Sequence, residues 1–413
     1  MAASWLSDTH TVFQTILGLQ ATRGCAEFLR GRVSRILRVA RAGCDDTEVA
    51  PTPDRVLVVS HACTVAANQR VYADVAARGT PVHLVVPSRW ANQYAPRGFD
   101  AEVLAGLAGD VTRVTVLGRG RPQRHVYLAR CAALLARIHP RVVLIEEEPF
   151  SVAALQWSRA ARRAGVPYGV QLAETLDRRL PSLVRRWRDN VLAGAAFVVA
   201  RSPAAADLAR RWGATGEVAV LVHGVEEAPE RAVPTGPFTV AYVGRLDAEK
   251  GIEDLLDAFG SLEVDARLVV AGDGPLRGRV ERAGASVTLL GAVPHASVGD
   301  VYAMADLTCV PSRTTDTWEE QFGRVLVESL VRGVPVLATT TGSIPWVLGV
   351  TGGGVLVPER DPAPLARAIA DAAVDRAATA ALGRAARVRA LASFSIPAAA
   401  DGVVELVARV SAR

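Results

Sequence analysis

The sequence predicts an α/β protein built from two doubly wound, Rossmann-like domains. Three observations carry that expectation. The chain has 413 residues, beyond the roughly 250–300 at which a single hydrophobic core stops growing. From residue 55 onward, short β-branched runs alternate with Ala/Arg/Leu-rich stretches of helical period. The alternation breaks once, at "EEAPERAVPTGP" (226–237), and then restarts.

In the first half, "RVLVVSHA" (55–62), "PVHLVVPS" (81–88), "RVVLIEEE" (141–148), "YGVQLA" (168–173) and "AFVVARS" (196–202) read as buried strands. Between them, "AANQRVYADVAARG" and "VAALQWSRAARRAG" read as helices that stop at glycine. Near-continuous apolar strands joined by helical crossovers indicate parallel sheets covered on both faces. In the second half the strands are "FTVAYVG" (238–244), "ARLVVAGD" (266–273), "SVTLLGA" (286–292), "DLTCVPS" (306–312) and "PVLATTT" (335–341). The predicted organisation is an N-terminal extension of helical character (1–50), a first domain (51–225), a linker (226–237) and a second domain (238–390). A C-terminal helix (391–413) would follow, placed to pack back on the first domain.

Composition narrows the class. Half the residues are hydrophobic and 22% are charged, with 35 glycines, as in a well-cored globular enzyme and unlike a disordered chain. The net charge of +5 suits anionic ligands but lacks the concentrated basic stripe of a nucleic-acid binder, so no nucleic-acid partner is expected. Five scattered cysteines without a C-x-x-C give neither a disulfide framework nor a zinc site. No apolar run approaches the ~18 residues of a membrane span, and the N-terminus lacks a basic leader region. A cytoplasmic location is the expectation. Residues 21–43 carry six arginines against one glutamate, with apolar residues at loosely helical spacing. Two readings stay open for them. One is a basic amphipathic helix making peripheral contact with the inner membrane face; the other is an ordinary surface helix or a misassigned start.

"YVGRLDAEKGIEDLLDAF" (242–259) holds the only lysine among 47 basic residues. Arg245 and Lys250 bracket a loop from strand to helix, where free amides and the helix dipole favour an anion. Two cations there suit a diphosphate. One charge pair at 4 Å and an effective dielectric of 20 is worth ~4 kcal/mol. A second glycine turn, "AGDGPLRGRV", follows the next strand and lets a ligand approach the backbone. In "VPSRTTDTWEEQFGRVLVESLVRGVPVLAT" (310–339), a polar loop ends at Glu320, a helix opens near Gly323, and Glu328 lies inside that helix. Glu328 is either an exposed outer-face glutamate or a buried carboxylate with a partner, since a buried unpaired one costs too much.

Together these stretches resemble the retaining glycosyltransferases of family 4, which have the GT-B fold. That family's pattern is G-R-L…K-G, G-x-G-P, then E-x-F-G…E-A and G-x-P-V. This chain reads G-R-L-D-A-E-K-G, G-D-G-P-L, E-Q-F-G-R-V-L-V-E-S and G-V-P-V in the same order. The resemblance is strong over about 238–361, weaker over 55–225 where "HGV" (223–225) still fits, and absent from 1–50. It implies an acceptor-side first domain, a nucleotide-sugar-binding second domain and a cleft between them. It implies that Arg245 and Lys250 hold the donor's diphosphate. Glu320 would contact the transferred sugar, with Gln321 and the amides of Phe322 and Gly323 beside it. Glu328 would accept the ribose hydroxyls, and the exits at Gly244, Gly272 and Gly291 would line the nucleotide.

The implied activity is a retaining, hexosyl-type transfer from a UDP- or GDP-linked sugar to a small-molecule or lipid-linked acceptor. The leaving phosphate oxygen would take the acceptor's proton. No cofactor and no metal are expected, because two cationic side chains would do a metal's work. A GT-B epimerase or phosphorylase, or a non-catalytic sugar-nucleotide binder partnering another transferase, are the alternatives. Three departures from the pattern bear on them. "GVQLAETLDRR" lacks the histidine many members carry after the fifth strand, leaving Glu174 as the nearest ionisable candidate. The glycine-rich loop after the first strand is replaced by "SHACTVAANQR", and Trp346 stands where members often have an acid.

Overall fold

The computed structural model describes residues 55–91 and 95–412, so the extension read at 1–50 lies outside the described residues. The chain divides into two compact units. The first runs to Gln171 and includes Ser182–Ala196; the second comprises Leu172–Pro181 and everything from Phe197.

In the first unit, parallel strands β1 (Val56–Val59), β2 (Val82–Pro87), β3 (Val111–Val114), β4 (Val142–Ile145) and β5 (Tyr168–Leu172) lie in the order β5-β4-β1-β2-β3. Every residue of β1, β2 and β4 is buried, as continuous apolar runs demand in a parallel sheet. Helices α1 (Ala66–Ala77), α2 (Cys131–Ile138), α3 (Val152–Ala164) and α4 (Ser182–Ala193) accompany the strands. The two helices read from the sequence correspond to α1 and α3. Ser151 starts α3 by accepting a hydrogen bond from the Ala154 amide at 3.0 Å, and Gly165 ends it at φ 69°. Strand β3 was not among the predicted strands. It is an edge strand whose Arg113 faces solvent, so the apolar run is interrupted.

The chain leaves β1 for β2 and β3, then crosses back to place β4 on β1's other flank. The sheet therefore reverses direction between β1 and β4, and the crevice beyond the carboxyl ends at such a reversal is where α/β sheets take ligands.

In the second unit, β6 (Phe197–Ala200) and β7 (Glu217–Val220) form a parallel pair around helix α5 (Pro203–Arg211). A six-stranded parallel sheet follows: β8 (Phe238–Val243), β9 (Ala266–Ala271), β10 (Val287–Gly291), β11 (Leu307–Val310), β12 (Val336–Thr339) and β13 (Gly354–Val357). Its order is β10-β9-β8-β11-β12-β13, so its reversal falls between β8 and β11. Around it lie α6 (Ile252–Gly260), α7 (Arg277–Glu281), α8 (Val298–Ala303), α9 (Arg324–Leu330), α10 (Ile344–Thr351), α11 (Pro362–Val374) and α12 (Arg376–Phe394), and α13 (Ile396–Ser411) follows. The five strands expected in this half are β8 to β12. Beyond them lies β13, whose Val355 and Leu356 are exposed at the sheet edge.

The C-terminal helices grip the segment before the linker. Val225 donates to the Phe394 carbonyl at 2.8 Å and accepts from the Ile396 amide at 2.9 Å, while Arg409 pairs with Glu217 at 2.9 Å. Gly224 of the "HGV" triplet sits at φ 69°, and a Cβ there would lie 2.9 Å from the Ile396 Cα. The proline-rich segment is itself tied down. Arg376 donates to the carbonyls of Pro234 and Gly236, at 2.6 and 2.7 Å, and to both oxygens of buried Asp306 at 2.8 Å. Asp306 also accepts the Thr239 amide at 2.9 Å. Removing one partner of a buried pair costs about 3–5 kcal/mol, and Arg376 is partly solvated. Asp306→Ala is therefore expected to lower stability by about 2 kcal/mol. Urea unfolding followed by circular dichroism checks this; an unchanged midpoint would show that the tether is energetically idle.

Candidate active site

The second unit's site is built on close backbone contacts at strand exits. Gly251 follows Lys250 at φ 66°, and a Cβ there would lie 1.8 Å from the Pro311 carbonyl oxygen just past β11. Gly272 is equally confined, since its Cβ would sit 1.8 Å from the Gly244 oxygen. Backbone bonds join the three exits: Gly244 donates to Ala271 at 3.0 Å, and Gly272 donates to Gly291 at 2.8 Å. The three glycines read from the sequence are thus brought together.

The loop between β8 and α6 carries the cations. Asp247 caps the short turn Ala248–Lys250 by accepting the Lys250 amide at 3.3 Å. Arg245 pairs with Asp247 at 2.8 Å and with Glu249. Lys250 Nζ donates to Glu320 Oε2 at 2.7 Å and lies 4.5 Å over the Trp318 ring. Ser312 Oγ reaches the same Glu320 oxygen at 3.4 Å. Lys250 and Glu320, 70 residues apart, therefore share one site at the sheet's reversal. Buried Tyr242 lies beneath, its hydroxyl donating to the Arg245 carbonyl at 2.6 Å. Burial pushes that phenol's pKa well up, and the charges of Asp247 and Glu320 add to the rise.

Glu320's backbone is fixed from the next turn. Its carbonyl accepts the Ser343 amide at 2.8 Å, and a Cβ on Gly342 would lie 2.1 Å from the same oxygen. Gly323 opens α9 at φ 75°. Glu328 is buried, which decides between the two readings left open by the sequence. It accepts from Arg324 Nε at 2.8 Å and from the Tyr302 hydroxyl at 3.2 Å. Burial and the Glu328 charge raise the Tyr302 phenol's pKa well above normal. Arg324 stands four residues before Glu328, a spacing visible in the sequence; Tyr302 comes from α8 and had no such signal.

Three predicted positions turn out to be used locally. The Phe322 ring packs on Phe394 and Trp346, with centroids 5.8 and 6.3 Å away, leaving its amide as the polar feature of that position. Trp346 belongs to this aromatic cluster, 5.5 Å from Phe394, which accounts for an apolar residue where an acid is common. Glu174 is buried, forms an ion pair with Arg178 Nε at 2.9 Å and accepts from the Thr175 and Leu176 amides at 3.2 Å. Gln321 is half-buried beside Glu320.

The first unit holds a cluster the sequence reading missed. His61, two residues beyond β1, and Glu147, two beyond β4, meet at that sheet's reversal. Glu147 accepts the His61 amide at 2.9 Å on one oxygen and His61 Nδ1 at 2.7 Å on the other. His125 Nδ1 donates to the Pro122 carbonyl at 2.9 Å, and its Nε2 faces Glu147 at 3.3 Å. Among the described residues, these three bring metal-ligand atom types within 4.8 Å of one another. Both Glu147 oxygens accept hydrogen bonds from His61, while the buried His125 Nε2 makes none. Burial would raise the Glu147 pKa, but the charges of His61 and His125 and the hydrogen bonds of His61 outweigh it and hold the carboxyl at about 2. Burial would lower the His61 pKa, but Glu147, with Glu146 and Glu148 behind it, leaves it raised.

Two parallel-sheet Rossmann-like units, with this order of glycine turns and charged loops, define a GT-B glycosyltransferase fold. Residues 226–389 match the family model for glycosyl transferases group 1. The phosphatidyl-myo-inositol mannosyltransferase of Mycobacterium leprae is 30% identical over 305 residues, 66% of this chain and 78% of that protein. The chain belongs to this group 1 glycosyltransferase family. The 2-deoxystreptamine N-acetyl-D-glucosaminyltransferase of Streptomyces fradiae is 36% identical over 155 residues, 35% of each chain. Several such matches are partial, spanning about a third to a half of the curated relatives' length. Among solved structures, Anabaena HepE in complex with UDP superposes with a TM-score of 0.67 at 19% identity, covering 86% of this chain and all of that one. No helix among the described residues is long and apolar enough to cross a membrane.

The close contact at Gly251 gives a direct test. Gly251→Ala adds an unfavourable φ to an overlap with backbone and is expected to cost at least about 2 kcal/mol. Thermal unfolding of the variant, read against wild type, measures it; an equal melting temperature would mean that the β8 and β11 exits are not in contact.

Proposed function

We propose that the protein transfers a sugar from a nucleoside-diphosphate sugar to an acceptor hydroxyl, with retention of anomeric configuration and without a metal. The observation that carries this reading is the Lys250–Glu320 pair at 2.7 Å on the exits of β8 and β11, with Arg245 on the same loop. On binding, the donor's diphosphate takes the place of the Glu249 and Glu320 carboxylates as partner of Arg245 and Lys250. Glu320, released from Lys250, turns to the hydroxyls of the transferred sugar. Glu328, already held by Arg324 and Tyr302, accepts the ribose hydroxyls. As the bond from the anomeric carbon to the diphosphate oxygen breaks, negative charge grows on the diphosphate. Arg245 and Lys250 stabilise it from fixed positions, the kind of preorganised electrostatics that often dominates catalysis.

The donor is UDP- or GDP-linked. HepE binds UDP and UDP-glucose, and one relative is named for GDP-mannose dependence. Relatives named for phosphatidyl-myo-inositol and 2-deoxystreptamine support a small or lipid-linked hydroxyl-bearing acceptor. A cytosolic nucleotide-sugar supply would place the enzyme in the cytoplasm.

Calorimetric titration with UDP, GDP and ADP, repeated on Lys250→Ala, tests the donor site. One nucleotide is expected to bind wild type and to lose affinity for the variant. Lys250→Ala is expected to reduce transfer at least ~100-fold with the fold intact. Binding of no nucleotide, or unchanged turnover in the variant, would sink this reading.

A further inference from the structure

The sheet reversal of the first unit encloses an electrostatic problem that its own side chains do not solve. His125 is fully buried, and its Nδ1 lies 2.9 Å from the Pro122 carbonyl. A carbonyl only accepts, so Nδ1 carries the hydrogen and the neutral ring has its lone pair on Nε2. That lone pair faces Glu147 Oε1, another acceptor, at 3.3 Å, and no hydrogen bond reaches it. Buried polar groups are almost always satisfied, so two acceptors facing each other imply a cation between them. The other Glu147 oxygen meets His61 Nδ1 at 2.7 Å. The Tyr127 hydroxyl, on the ring that closes on His125 at 5.3 Å, is also buried without a hydrogen bond. The missing cation is either a proton on His125 or a metal ion held by all three side chains.

The geometry favours the metal. Ligand atoms of His61, His125 and Glu147 all lie within 4.8 Å of one another. A tetrahedral ion with bonds of about 2.0–2.1 Å sets its ligand atoms roughly 3.3 Å apart. The gap between His125 and Glu147 already has that width, and the gap between Glu147 and His61 need open by only about 0.6 Å. Metal-binding histidines commonly donate their other ring N–H to a backbone carbonyl, which fixes the tautomer, as Pro122 does for His125. The His61 amide steadies the carboxylate by donating to Glu147 Oε1 at 2.9 Å. Trp90 packs on both imidazoles, with centroids 4.9 Å from His61 and 5.1 Å from His125. The His61 side chain retains 22% of its surface, whereas those of Glu147 and His125 retain 1% and 0%. An ion therefore enters past His61, and the open coordination position lies on that side.

We propose that His61, His125 and Glu147 bind a divalent transition-metal ion, zinc by preference, within the first unit. Two imidazoles and one carboxylate suit zinc, whereas magnesium and calcium take oxygen ligands. Water fills the open position. The ion replaces the proton between His61 Nδ1 and Glu147 Oε2, and any proton on His125 Nε2, so binding releases protons to solvent. All three ligands belong to the first unit, and the ion takes no part in the metal-free transfer proposed above. Such a site departs from the expectation, drawn from the sequence, that the chain holds no metal. Its ligands are spread over 86 residues, so no spacing motif announces it.

The test uses the full chain, stripped by dialysis against EDTA. Zinc is titrated in competition with a chromophoric chelator and counted by plasma mass spectrometry; cobalt is titrated in parallel and followed by visible absorption. Wild type is expected to bind about one zinc per chain, in a site with one open position. Cobalt should give the visible bands of a four-coordinate site with nitrogen and oxygen donors, without a thiolate charge-transfer band. His61→Gln and His125→Gln should each weaken zinc by more than the ~10–100-fold that follows loss of an outer partner. Zinc should raise the melting temperature of wild type and leave that of His61→Gln unchanged. Should His125→Gln fail to fold, the partly exposed His61→Gln decides alone. Stripped wild type that takes up no zinc, equal zinc affinity in His61→Gln, or a thiolate-to-cobalt band would overturn the proposal, and the cation at His125 would then be a proton. None of these readouts involves nucleotide, so failure here leaves the transferase reading untouched.

Discussion

The second unit depends on a backbone contact with no room for a side chain. At Gly251 the chain leaving β8 comes so close to Pro311, beyond β11, that even a methyl group would overlap a carbonyl oxygen. That proximity lets residues 70 positions apart pair as Lys250 and Glu320 do. It also helps join α6 to the loop after β11, where Arg313 donates to both oxygens of buried Asp254 at 2.7 and 2.5 Å and its amide donates to the Glu249 carbonyl at 2.8 Å. Gly272 and Gly342 repeat the device on either side, against Gly244 and Glu320. The glycines therefore do two things at once. They pack strand exits together, and they aim charged side chains from different loops at one place.

The two units answer the same architectural question with different chemistry. Each sheet reverses beside its first strand, β1 in one and β8 in the other, and each reversal gathers a carboxylate and a nitrogen base. In the second unit the bases are arginine and lysine, which keep their charge at any working pH and suit a permanent anion such as diphosphate. In the first the base is histidine, the side chain that gains and loses a proton near neutrality.

Local signals were legible in the sequence and long-range ones were not. Buried parallel strands announce themselves as apolar runs, and every predicted strand corresponds to one in the fold. The edge strands β3, β7 and β13 escaped because exposure breaks that run, at Arg113 in β3, along Glu217–Val220 in β7 and after a glycine start in β13. Arg245, Lys250 and Glu320 stand out in the sequence because glycine turns and a strand-to-helix loop lie next to them, but the pairing of Lys250 with Glu320 had no local signal. Glu328 could be named but not explained, since Tyr302 is 26 residues away. The His61–Glu147 pair spans 86 residues and matches no local pattern. After the fifth strand, where the family pattern carries a histidine, Glu174 is tied to Arg178. The available clue was positional: "SHA" and "EEE" each follow a strand that flanks the reversal of the first sheet.

The lone lysine has a geometric explanation. At position 250 the cation must satisfy a carboxylate at 2.7 Å and rest 4.5 Å over an indole face, on a loop whose next residue has no space for a side chain. An ammonium is a compact charge whose donors can turn toward a carboxylate on one side while the indole face attracts it from another. A guanidinium stacks flat on an aromatic ring and bonds in its own plane, so meeting Trp318 and Glu320 together would constrain it to one orientation. In the proposed mechanism, exchange of Glu320 for a diphosphate asks that the cation re-aim its donors without moving its stem, which a rotating ammonium does with small displacement. Elsewhere in the described chain, arginine holds fixed partners: Arg376 its linker carbonyls, Arg313 its Asp254 fork, Arg324 its Glu328. Arg245 also exchanges a carboxylate partner in the proposed mechanism, so what sets position 250 apart is the Trp318 face beneath its ammonium.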